Sequence, residues 1–133
     1  GAQRIQTVHG WRTFVDNKVP ISISTSRPHL ESTPLLNFYA AITRQDLQSR
    51  PTTGWQPKQR LTRDEALRAL TMGGAYAGFE EDIKGSIQVG KWADIIVLSK
   101  DIMTIPASEI LTTEVLATMV GGTVTYINPS DSF

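Results

Sequence analysis

The segment Gly85-Ser86-Ile87-Gln88-Val89-Gly90-Lys91-Trp92-Ala93-Asp94-Ile95-Ile96-Val97-Leu98 passes from a glycine-marked turn into a largely apolar run. Gly90-Lys91 supplies the turn. Residues 92–98 then read as a strand with apolar side chains on both faces, the pattern of a buried β-strand. Downstream, residues 115–120 and 123–127 are two apolar runs separated by Gly121-Gly122. Two glycines between such runs predict a tight β-hairpin. Between strand and hairpin, Pro106 is placed to start a short helical turn at Ser108-Glu109-Ile110. The last residues, Pro129 to Phe133, read as a frayed tail.

Upstream of Gly85 the texture is helical. Thr62-Arg63-Asp64-Glu65 spells a capping box, in which the threonine hydroxyl and the glutamate carboxylate satisfy amides of the first turn reciprocally. The helix it opens runs through Ala66, Leu67, Ala69 and Leu70 and is weakened at Gly73-Gly74. A second helical piece is expected from Ala75 to about Glu81. Residues 35–47 carry Leu35, Leu36, Phe38, Tyr39, Ile42 and Leu47 and predict another helix, and residues 50–60 an irregular loop. Residues 3–16 place Ile5, Val8, Arg12 and Val15 at helical spacing beside Trp11 and Phe14. Between these helices, residues 19–25 alternate Val19, Ile21 and Ile23 with Pro20, Ser22 and Ser24, the mark of a short strand. The order is helix, strand, helix, helix, helix, strand, hairpin.

Composition sets outer bounds. The chain has 133 residues, 40 % hydrophobic and 20 % charged, which fits a folded domain and not a disordered one. Thirteen basic residues balance thirteen acidic ones. A neutral chain without a basic stripe offers nothing to nucleic acid or an anionic membrane. The absence of cysteine excludes disulfides and thiolate metal sites. No apolar run approaches the roughly 18 residues of a membrane helix, and the N-terminal residues lack the order of a signal peptide. The expected compartment is the cytoplasm.

Gly85-Ser86-Ile87, Gly90-Lys91 and Ala93-Asp94-Ile95-Ile96-Val97-Leu98 together resemble the C-terminal signature of metal-dependent amidohydrolases, in the branch that contains N-substituted formamide deformylase. Further segments match in the same order. Arg4 with Trp11-Arg12 resembles the helix before the last barrel strand, and Val19-Pro20-Ile21-Ser22-Ile23 resembles that strand. Pro34-Leu35-Leu36 with Phe38-Tyr39-Ala40-Ala41-Ile42-Thr43-Arg44 resembles the helix after it. Leu61-Thr62-Arg63-Asp64-Glu65-Ala66-Leu67, Asp101 to Pro106 and Val120-Gly121-Gly122 complete the match. The resemblance implies an α/β fold: the last strand and helices of a (β/α)₈ barrel over residues 1–84, then the C-terminal strand and hairpin of a composite β-sandwich over residues 85–133. Most of the barrel has no counterpart here, so the fold is expected to be partial and completed by oligomerisation.

In that family a metal ion, zinc or another divalent cation, activates water for hydrolysis of a non-peptide C–N bond at the C-terminal ends of the strands. The last strand ends in Gly-Ser-Asp-x-Pro. Ser24-Thr25-Ser26-Arg27-Pro28 falls on it, so Ser26 stands where the resemblance puts the metal-binding aspartate. A serine hydroxyl is a poor ligand and a poor base at neutral pH. The family's further histidine ligands have no counterpart, since this chain holds only His9 and His29. His29 and Glu31, with Arg27, could supply acid–base groups from one loop; the plain alternative is a solvated loop after a strand. His9 reads as a surface residue on the polar side of the first helix. Asp94 reads as a partner for backbone amides in a turn. Trp11, Trp55 and Trp92 read as core or loop anchors, and Gly90-Lys91 lacks the rest of a phosphate loop. The chain alone is therefore expected to bind no metal or other cofactor and to be inert. Two other readings are one subunit of a split amidohydrolase, completed by a missing N-terminal barrel polypeptide, and a small structural or binding protein that self-associates as a homo-oligomer.

Overall fold

A computed structural model describes residue 5, residues 8–25 and residues 32–130 of this chain. Besides the helical residue 5, the described residues form five short helices and a three-stranded sheet. They are α1 Trp11–Asp16, α2 Pro34–Thr43, a 3₁₀ turn Pro57–Gln59, α3 Arg63–Leu70, α4 Met72–Ala77, β1 Ile95–Leu98, α5 Ala107–Ile110, β2 Val115–Val120 and β3 Thr123–Ile127. The α/β class and the order of elements agree with expectation, with one exception. Residues 19–25 form no ladder. Their burial does alternate, with Ile21, Ile23 and Thr25 half-buried and Ser22 and Ser24 exposed. A ladder needs a neighbouring strand, and none among the described residues lies beside this segment. It is held instead by α3 and α4. The Ile23 amide donates to the Ala69 carbonyl at 3.0 Å. Gly73 lies so close that a Cβ there would stand 2.2 Å from the Ile21 carbonyl oxygen. Gly73, one of the two glycines that read as a weak point in a helix, is thus also a contact point, whereas Gly74 faces open space.

The capping box at α3 forms as expected. Thr62 Oγ1 accepts from the Glu65 amide at 3.3 Å, and Glu65 Oε2 accepts from the Thr62 amide at 2.7 Å. The same carboxylate also receives the Arg12 guanidinium of α1 as a two-pronged pair, one prong 2.7 Å long. Arg12 further donates to the Arg60 carbonyl through Nε at 3.2 Å and Nη2 at 3.1 Å. One glutamate therefore caps its own helix and ties α1 to it. The hydrogen bond from Arg12 holds the Glu65 carboxyl down to about 2 and raises the Arg12 guanidinium further above its ordinary value.

Several boundaries differ from the sequence reading. The first helix is α1 alone among the described residues between 8 and 16, because His9 takes a left-handed backbone (φ 52°) just before it. α2 stops at Thr43, four residues early, because Arg44 also turns left-handed (φ 59°). The piece expected from Ala75 to about Glu81 is instead Met72–Ala77, which takes in Gly73-Gly74 and ends early. Residues 92–94 belong to the turn that leads into β1.

The core lies between α2, α3 and α5. Phe38, Tyr39, Ala41, Leu61, Ala66, Ile102 and Ile110 are buried there, and Ile21, Ile23 and Leu98 pack against them. The sheet is antiparallel in the order β1-β2-β3. Its hairpin turns on Gly121 (φ 56°) and Gly122 (φ 82°), as two residues that must both adopt positive φ require.

Phe38 is fully buried in this small core. Phe38→Ala should cost about 3–5 kcal/mol, read as a lowered urea midpoint. A second expectation concerns acid. Because the folded carboxyl of Glu65 is depressed, its stabilisation is present above the unfolded value of about 4.3 and is lost as pH falls towards 2. Glu65→Gln should lower the melting temperature near pH 7, and the gap from wild type should close across that acid window. A gap of constant size would disprove the assignment.

Candidate functional site

Ser26, His29 and Glu31 lie outside the described residues. Both ends of the chain that carries them are fixed. On the entering side Asn37 Nδ2 donates to the Ser24 carbonyl at 2.9 Å, beside the Ile23–Ala69 bond. On the leaving side Thr33 caps α2, its hydroxyl accepting from the Leu36 amide at 3.2 Å, and Pro34 opens the helix. Thr33 and Pro34 at cap and first position are the residue types a helix start favours. In the sequence, residues 26–31 therefore stand between a segment held by α2 and the first turn of α2 itself.

His9 lies outside that neighbourhood in the chain and serves an aromatic cluster. It is exposed, with its ring edge-on to Trp11 at 6.2 Å and to Trp55 at 6.1 Å. Between those two indoles sits the Arg44 guanidinium, 4.6 Å from one ring centroid and 4.7 Å from the other. Arg44 Nε donates to the Trp55 carbonyl at 3.0 Å and Nη1 to the His9 carbonyl at 3.3 Å. Arg44 is only 7 % exposed, and burial lowers its pKa. Trp11 and Trp55 are anchors, as their residue type suggested; that they stack on a buried arginine had no signal in the sequence.

Asp94 also behaves as expected. Its Oδ1 accepts from the Gly121 amide at 2.8 Å, and Gly122 donates to the Ala93 carbonyl at 3.1 Å, so the turn before β1 holds the hairpin tip. Lys91 Nζ donates to the Glu81 carbonyl and, at 3.4 Å, to the Lys84 carbonyl. Trp92 is exposed, with the Lys84 ammonium 5.9 Å over its ring. In this structure Lys91 and Asp94 of the signature segment act on backbone groups.

The chemistry that the resemblance implies needs a metal held by several imidazole and carboxylate ligands. Among the described residues no three histidine, cysteine, aspartate or glutamate side chains converge. The whole sequence offers two histidines and no cysteine. A site of several imidazole and carboxylate ligands cannot be assembled from the described part of this chain.

The sequence matches the Amidohydrolase family over residues 1–126. The chain belongs to that family. It is 30 % identical over 115 residues to the N-substituted formamide deformylase of Arthrobacter pascens, an alignment covering 86 % of this chain and 21 % of that protein. It is 25 % identical over 126 residues to YtcJ of Bacillus subtilis (strain 168), covering 95 % of this chain and 24 % of the other. A solved amidohydrolase from Thermotoga maritima MSB8 superposes with a TM-score of 0.49 and 14 % identity, over 94 % of this chain and 35 % of that one. The chain thus spans between a fifth and a quarter of the length of these curated relatives.

Asp94→Ala should free the Gly121 amide and cost about 1 kcal/mol. The check is a lowered denaturation midpoint together with faster hydrogen exchange at Gly121 than at amides of α2.

Proposed function

We propose that this chain is the C-terminal share of a hydrolase that cleaves a non-peptide C–N bond of the formamide or amide type, and that the chain by itself does not catalyse. Family membership carries the reaction class. The substrate type is taken from the name of the Arthrobacter relative. The observation that carries inertness is the donor set: two histidines in the whole sequence, and Ser26 where the family resemblance puts an aspartate. A hydroxyl at that position neither holds a divalent metal firmly nor takes a proton from water near pH 7. In this reading Ser26 marks the place of the site, and His29 and Glu31 are the nearby candidate acid–base groups.

The barrel strands that would complete such a site would come from further polypeptide. The cytoplasm remains the proposed compartment; none of the described helices is long and apolar enough to cross a membrane.

The purified 133-residue chain should contain near-zero zinc, iron and manganese by inductively coupled plasma mass spectrometry. It should release no formate from an N-substituted formamide. Stoichiometric metal, or formate release abolished by a chelator, would overturn the reading.

A further inference from the structure

The sheet and the helical core bury very different amounts of side chain. Phe38, Tyr39 and Ile110 of the core are almost fully buried. In the sheet every strand residue is half-buried or exposed. Among the described residues Leu98 is the one strand residue packed against the core cluster. Between β1 and β2 the chain returns to the core: Ile102 and Ile110 are buried in it, and the Arg63 guanidinium donates to the Ile102 carbonyl and, at 2.6 Å, to the Ile105 carbonyl. The hydrogen bonds of the sheet, by contrast, close on the sheet itself. The Ser99 amide donates to the Glu114 carbonyl at 2.9 Å, and the Glu114 amide to Ser99 Oγ at 2.9 Å. The Asn128 amide donates to the Leu116 carbonyl at 2.8 Å, and Thr125 Oγ1 to the Thr118 carbonyl at 3.2 Å. The hairpin tip is held by Ala93 and Asp94. Just before them the Trp92 amide donates to the Ile83 carbonyl at 2.8 Å, which ends the part tied to the helical side.

We propose that residues 93–99 and 114–128 are a detachable unit, which opens and re-forms while the helical core stays folded. A three-stranded sheet holds by itself only with a hydrophobic face against something or a helix packed on it. This sheet offers the core one leucine side chain. Opening it costs its own ladder and that one contact. The core cannot open without exposing Phe38, Tyr39 and Ile110 together. Unequal burial of this kind divides a fold into units of unequal stability. The core also keeps the bonds on both sides of residues 26–31, from Asn37 Nδ2 to the Ser24 carbonyl and from the Leu36 amide to Thr33 Oγ1. The sheet can therefore be released without disturbing the supports of the candidate site. This inference does not depend on the proposed reaction, and its readout is separate from metal content and formate release.

The test is native-state hydrogen exchange on the full chain across a series of low urea concentrations. The Ser99, Gly122 and Asn128 amides report the sheet. The Ile23, Arg44 and Leu61 amides, bonded to the Ala69, Ala40 and Ala41 carbonyls, report the core. The sheet amides should exchange about tenfold or more faster than the core amides. Their exchange should also respond less steeply to urea, because opening the sheet exposes less surface than opening the whole chain. Thr118→Pro places a proline in the central strand, where it breaks the ladder. That variant should lose protection at the three sheet amides and keep it at the three core amides. Sheet amides protected as strongly as the core amides and with the same urea response would overturn the proposal. So would a Thr118→Pro chain that loses protection throughout.

Discussion

The Glu65 carboxylate is the point on which the helical part of this structure depends. It closes the capping box of α3, and it accepts both prongs of the Arg12 guanidinium from a helix more than fifty positions earlier. Arg12 also satisfies the Arg60 carbonyl, which stands just before α3 begins. A helix of six residues such as α1 has almost no stability of its own. It persists because one arginine fastens it to the start of a capped neighbour and Trp11 packs against the core. Both partners are about three-quarters covered, so the pair is sheltered from the screening that makes exposed ion pairs nearly worthless.

The two motif segments that contribute to this link, Trp11-Arg12 and Leu61 to Leu67, are also two of the segments that resemble the amidohydrolase pattern. The structure gives them a physical reason to occur together. The same holds further along the chain. Lys91 caps carbonyls of the turn at 81–84, and Asp94 holds the hairpin tip at Gly121. In the described structure these motif residues serve architecture. The residues by which the family reading locates chemistry fall between Thr25 and Ser32 in the sequence, outside the described structure.

Much of the fold was legible because its determinants are local. Positive φ at two adjacent glycines makes a hairpin turn, and a threonine three residues before a glutamate makes a capping box. Those rules act within a few residues and needed no knowledge of the rest. The misjudged points are those decided by distant neighbours. α2 ends at Thr43 because Arg44 is drawn between Trp11 and Trp55, a contact no spacing rule contains. The alternation at 19–25 reports burial correctly, yet a strand is a property of two chains and no partner strand is present among the described residues. The contact of Gly73 with Ile21 is of the same kind. The candidate site was legible only through resemblance, since one serine, one histidine and one glutamate in a loop obey no geometric rule.

The placement of the tryptophans has an optical consequence. Trp11 and Trp55 hold one guanidinium between them, and Trp92 has a lysine ammonium near its ring before the first strand of the sheet. Trp11 and Trp55 share a buried cation whereas Trp92 is exposed to solvent, so the indoles occupy two environments and their emission is expected to carry two signals. One reports whether α1, the end of α2 and the loop through Trp55 are assembled, and the other reports the turn that leads into the sheet. Loss of the helical cluster and loss of the sheet junction would therefore be separately visible in a single unlabelled sample.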